Sequence, residues 1–141
     1  MSETTITIPM PPSVNNLWTP VRRRNKRTGR MVETLVRTKH YKKWLKDAVP
    51  LVRCQMGVLT SPVKATITIR GGAGWEERRD LDNCLKATLD AMVAAQRIRD
   101  DSCLNVIHSE VMYLLPLKGQ PACCWLTVRE VSYADYTIDE C

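Results

Sequence analysis

Apolar and polar residues alternate without a break between residues 63 and 70, with Val63, Ala65, Ile67 and Ile69 set against Lys64, Thr66, Thr68 and Arg70. A period of two places each set on its own side of an extended chain, so this is the clearest strand in the sequence. Residues 4–8 alternate Thr and Ile in the same way. Pro9, Pro11 and Pro12 end that strand, because proline fixes φ and has no N–H to give a ladder. Between the two, the period changes. Tyr41, Trp44, Leu45, Ala48 and Val52 recur at steps of three and four, with Lys42, Lys43, Lys46 and Asp47 opposite, which predicts an amphipathic helix from about Thr38. Pro50 is expected to kink or divide this helix, and Gly57 to cap it. A second helix is expected over about 80–96, burying Leu81, Cys84, Leu85, Thr88, Leu89 and Met92 and leaving Asp82, Asn83, Lys86 and Asp90 on its other side. Two more strands are expected near residues 105–115 and 122–131, separated by the segment 116–121.

The order β-α-β-α-β-β predicts an α+β fold, a mixed β-sheet flanked by two main helices in a single domain over 1–141. Residues 19–37, polar and basic around Gly29, read as a mobile loop or a hairpin. The acidic tail, 132–141, is expected to be frayed. With 141 residues, 44% of them hydrophobic, the chain can bury one real core. It has no run of ~18 apolar residues and no charged start followed by an apolar stretch. The expectation is therefore no membrane span, no signal peptide and a cytoplasmic location.

Charge changes the picture. Eleven Lys or Arg against one acid, Glu33, give residues 22–46 a net +10, so the remainder of a +6 chain carries −4. A basic arm on a mildly acidic body suits a polyanionic partner, with Arg22, Arg23, Arg24, Lys26, Arg27 and Arg30 as candidate DNA contacts. The alternative is a solvated basic loop. The six cysteines form no C-x-x-C pair, and His40 and His108 are far apart, so a structural zinc site lacks its spacing. The thiols are read as reduced and filling small apolar sites.

Candidate chemistry concentrates at Arg78-Arg79-Asp80-Leu81-Asp82-Asn83, continuing through Lys86 to Asp90. Residues two apart on a helix point about 200° away from each other, whereas in an extended segment they share a side. Asp80 and Asp82 therefore converge only if Asp80 sits at or before the helix entrance, where an aspartate is favoured as N-cap. Paired carboxylates repel unless a cation shares them, and a hard oxygen site suits Mg²⁺. Lys86 lies four residues after Asp82, on the same helical face, and Arg78 and Arg79 are placed to hold phosphate oxygens. From spacing alone a second reading stays open, in which Asp80 caps a helix and Asp82 pairs with Lys86. Trp75 either stacks on DNA bases or anchors the glycine-rich turn beside it, and His108 reads as structural. Trp18, Trp44 and Trp125 read as core or dimer contacts.

The stretch RRDLDNCLKATLDAMVAAQRIRDDS resembles the signature of the RusA family of Holliday junction resolvases: D-L-D-N, a lysine three residues on, an aspartate four further, then D-D after the helix. The P-P-S-x-N-N of residues 11–16 is similar to the start of that family. The resemblance spans roughly residues 5–130, with the 20s to 40s poorly matched. It implies a RusA-like fold and an Mg²⁺-dependent endonuclease (Mn²⁺ being an alternative ion) that cuts branched, four-way DNA junctions as a homodimer. Residue by residue, it implies that Asp80, Asp82 and Asp101 bind metal and that Lys86 is the catalytic lysine. Asp90 matches a motif aspartate best read as a structural pair. Asn83 either supports the site or caps the helix, and Asp100 is read as a loop residue. Two other readings stand beside this one, a non-catalytic basic nucleic-acid-binding protein and a nuclease for other branched DNA such as flaps.

Overall fold

A computed structural model describes residues 3–60 and 62–136. The alternating segments become β1 (Glu3–Ile8) and β4 (Val63–Arg70), with β5 (Val106–Leu114) and β6 (Cys123–Glu130) completing a four-stranded sheet in the order β1-β6-β4-β5. The sheet is mixed. β4 runs parallel to β5, and both other pairings are antiparallel. Two helices, α1 (Lys39–Gln55) and α2 (Leu85–Ala94), complete the α+β domain, and α2 lies in the crossover that a parallel β4–β5 pair requires.

All the inward residues of β4 (Val63, Ala65, Ile67, Ile69) are fully buried, and register puts Leu126, Val128, Ile6 and Ile8 on the same side. They share one cluster with Tyr41, Trp44, Ala48 and Val52 of α1 and Ala87, Thr88 and Met92 of α2. The two helices therefore flank the sheet on one face. The opposite face carries a Thr5–Thr127 hydroxyl bond (2.9 Å), the Arg70 guanidinium 5.4 Å over Trp125, and a Lys64–Glu110 ion pair (2.6 Å). Within α2, the buried Thr88 hydroxyl donates to the Cys84 carbonyl at 3.0 Å, which satisfies a polar group in the core.

The local differences from the sequence expectation have physical causes. Residues 19–37 form the hairpin and not the mobile loop, with β2 (Trp18–Arg24) antiparallel to β3 (Met31–Arg37) as a separate two-stranded ribbon. Its tip closes through Asn25, whose side chain accepts from Arg27 N–H (2.8 Å), and through Gly29 at φ +70. Thr38 caps α1 by accepting from Tyr41 N–H (3.1 Å). Pro50 does not divide α1, because it lies on the exposed side where the Lys46 carbonyl it orphans meets water. Gly57 is not the cap. The helix ends at Met56, extended and 3% exposed, so burial of that side chain draws the chain away. The second helix divides at its start, with a 3₁₀ turn at Leu81–Cys84 preceding α2. Its tighter winding turns Leu81 out of the seam that α-helical spacing assigns to it, and Leu81 and Leu85 are only partly buried.

The described part of the tail, residues 132–136, is tied down where a frayed end is expected. Tyr133 donates to the Leu104 carbonyl (2.6 Å) and Tyr136 bonds His108 (3.1 Å), giving the histidine the structural role read for it. Residues 137–141, with Cys141, lie outside the described residues. The five described cysteines are free thiols. Cys84 and Cys124 fill buried sites as expected, whereas Cys54 and Cys103 are exposed. No helix among the described residues is long and apolar enough to cross a membrane.

Gly72 sits at φ +145, and a Cβ there would meet the Gln120 carbonyl at 2.7 Å. Gly72→Ala should cost about 1–3 kcal/mol through strain and that clash. Thermal unfolding should then show a Tm lowered by roughly 3–12 °C.

Candidate active site

Trp75, 8% exposed, anchors the glycine-rich turn. The Arg79 guanidinium lies 4.9 Å over its ring and donates to the Pro11 carbonyl, tying the chain after β1 to the approach to α2. Of the two arginines expected on phosphate, Arg79 is half-buried and tied to the fold and Arg78 is exposed, and both line a cleft. Trp75 takes the anchoring role of its two readings.

Past Arg79 the backbone is extended at Asp80 (φ −72, ψ 137) and then enters the Leu81–Cys84 turn, so Asp80 occupies the N-cap and Asp82 the first turn. The geometric condition for the pair is met. Yet the Asp80 side chain makes no capping bond, and among the described residues neither exposed carboxylate has an ion-pair partner. The alternative of a capping Asp80 with an Asp82–Lys86 pair is not what the chain builds.

Lys86 pairs with two other acids. Its ammonium lies 2.9 Å from Asp90 Oδ1, one helical turn ahead, and 2.9 Å from Asp101 Oδ2 in the loop after α2. The bond to Asp101, and then the one to Asp90, raise the Lys86 pKa above its ordinary value. Asp90 in turn accepts from the Tyr41 hydroxyl through Oδ2. Asp90 thus has the structural pairing read for it. Burial, followed by the bond to Asp90, pushes the Tyr41 pKa well above its ordinary 10.0, which keeps the hydroxyl a donor. A raised acid pKa means the folded state holds its proton longer than the unfolded chain. This contribution is complete below pH 10 and is lost as pH climbs through the folded value. Tyr41→Phe should therefore flatten the loss of stability above pH 10, measured as urea midpoints across alkaline pH.

Among the described residues no three His, Cys, Asp or Glu side chains gather as a metal-holding group. Asp80 and Asp82 fit a hard cation, being oxygen donors that face solvent and have no bond to give up. Asp101, its side chain 32% exposed, is held by Lys86 and not beside them. Asp100 is the loop residue, accepting from Ser102 N–H (2.9 Å) and Asn105 (2.7 Å), which holds its carboxyl below the usual range.

Asp80 and Asn83 stand on a cleft of about 550 Å³ shared with Asn15, Asn16, His40 and Arg78. Sequence reasoning gave His40 and Tyr41 no place at the site, although a tyrosine on a buried helical face and an aspartate on α2 each need a polar partner. The ribbon springs from the same wall. Thr38 donates its N–H to Leu17 O (3.0 Å) and its hydroxyl to Asn16 O (2.7 Å), closing the base of β2–β3. Arg22, Arg23, Arg24, Lys26, Arg27 and Arg30 all lie exposed along the ribbon and its tip.

No curated protein matches the chain. The family model Endodeoxyribonuclease RusA matches residues 17–116. That range takes in the ribbon, both helices, the site segment and β5, and it begins just after the P-P-S-x-N-N stretch. With well over half of its 141 residues matched, the chain belongs to the RusA family of endodeoxyribonucleases.

Proposed function

We propose that this endonuclease resolves Holliday junctions by paired, symmetric phosphodiester hydrolysis with a divalent cation, Mg²⁺ (or Mn²⁺), acting as a homodimer. The observation that carries the reading is that, among the described residues, the exposed Asp80 and Asp82 carboxylates have no ion-pair partner, with Asp80 on a cleft, while Lys86 is paired with Asp90 and Asp101. Asp80 and Asp82 would hold the cation, joined by Asp101 as a third carboxylate once it turns from Lys86, and the cation would supply polarisation of the phosphoryl group and an activated water. The chain's own side chains do the rest. Arg78 holds phosphate oxygens at the cleft, Lys86 offsets charge on the phosphate as it is attacked, and the basic ribbon tracks the backbone. A four-way junction has near-twofold symmetry, and a C2 dimer presents two sites with that symmetry.

The experiment is strand cleavage of synthetic substrates in Mg²⁺ and in EDTA. A four-way junction should be cut at paired, opposed positions only with the cation. Equal cutting of flaps or linear duplex would overturn junction resolution, and cutting in EDTA would overturn the metal.

A further inference from the structure

We propose that Tyr41 and Asp90 are positioning residues that hold the Lys86 ammonium in place for its work on the phosphate; this rests on the role of Lys86 proposed above. Tyr41 is fully buried in α1, its ring stacked 6.4 Å from Trp44 and edge-on 6.3 Å from Trp18. Its hydroxyl is therefore fixed by the core. It donates to one oxygen of Asp90 while the other oxygen holds Lys86 at 2.9 Å. A carboxylate gripped from both sides cannot rotate, so the position of the core ring is handed to the end of a flexible side chain. A lysine side chain otherwise spreads over many rotamers on its flexible four-carbon stem.

The two acids on Lys86 are not equivalent. Asp90 is 15% exposed and locked by Tyr41, whereas Asp101 is 32% exposed and sits in a loop. If Asp101 turns to another partner, Asp90 still holds the ammonium. Tyr41 is buried and both Asp90 oxygens are engaged, so their effect on catalysis passes through Lys86.

The test is Tyr41→Phe, which keeps the buried ring and removes the hydroxyl, alone and combined with Lys86→Ala, in single-turnover cleavage of a four-way junction with Mg²⁺. Loosening of a positioned group predicts a kcat lowered by about 10–100-fold with unchanged KM and junction affinity. In the Lys86→Ala background, Tyr41→Phe should have no further effect, since both substitutions act on the same ammonium. A multiplicative loss in the double variant, or an undiminished kcat in Tyr41→Phe, would overturn the proposal. Parental cutting by Lys86→Ala would overturn the underlying role of Lys86 itself, an outcome separable from failure of the tyrosine link. Asp90→Asn should reproduce the kcat loss, and the isosteric Tyr41→Phe stands if that variant fails to fold.

Discussion

Asp82→Asn should give a protein that binds a four-way junction as tightly as the parent and does not cut it. Asparagine has the same shape and lacks the charge that holds a cation. Losing a ligand that acts in the transition state lowers the rate by about 10³-fold or more, on the order of 4 kcal/mol. The fold should not notice, because Asp82 is exposed and makes no ion pair among the described residues. Substitutions at such positions stay within about 0.5 kcal/mol. Asp80→Asn should behave alike, since no capping bond of its side chain is lost. Binding should hold or tighten, because a negative charge facing DNA is removed. Single-turnover nicking with Mg²⁺, paired with gel shifts in EDTA, reads both quantities. Cutting at the parental rate by either variant would mean that these carboxylates are not the metal site.

The second large effect belongs to the ribbon. Replacing Arg22, Arg23 and Arg24 together by Ala should weaken junction binding and reduce its salt dependence. Each phosphate left without its arginine takes about 0.9 from the slope of log K against log salt, so the triple variant should be flatter by about 2–3. Register adds a distinction that composition could not. Arg22 and Arg24 sit two apart on β2 and share a face with Met31 and Leu35, whereas Arg23 points to the other side with Val32. The Arg22/Arg24 double variant should therefore account for most of the loss if one face meets DNA. Unchanged affinity in the triple variant would remove the ribbon from the binding surface.

The elements were legible because each has a period that only one geometry satisfies. Val63 to Ile69 could not have been helical, and Tyr41 through Val52 could not have been a strand. The 3₁₀ turn at Leu81–Cys84 was not legible, since four residues fit either winding and the choice depends on how Asp80 and Trp75 are held. The six residues from Asp80 to Leu85 are where helix-period reasoning failed, and they also hold two of the candidate carboxylates. That Asp80 must sit at the entrance for the two carboxylates to converge followed from geometry; that it does sit there came from the structure. What Lys86 would bond did not follow from geometry, because its competing acceptors, Asp82, Asp90 and Asp101, lie within reach in sequence or in space and only the packing of α2 against α1 selects between them. Tyr41 was visible as a core residue and invisible as a hydrogen-bond donor, since periodicity reports where a ring goes and not what its hydroxyl meets.

The base of the ribbon is closed. Leu17 is fully buried, Thr38 is bonded to Asn16 and Leu17, and Arg37 lies over both Trp18 and Tyr41, so the arm is braced next to the cleft wall that Asn16 and His40 form. On the function proposed above, the DNA held by the arm and the phosphate received by the cleft would be referred to one rigid origin. The enzyme would then work as a gauge, with the cut at a set offset from the base of the arm. Lengthening both strands near the tip would extend the footprint outward and leave the cut where it is.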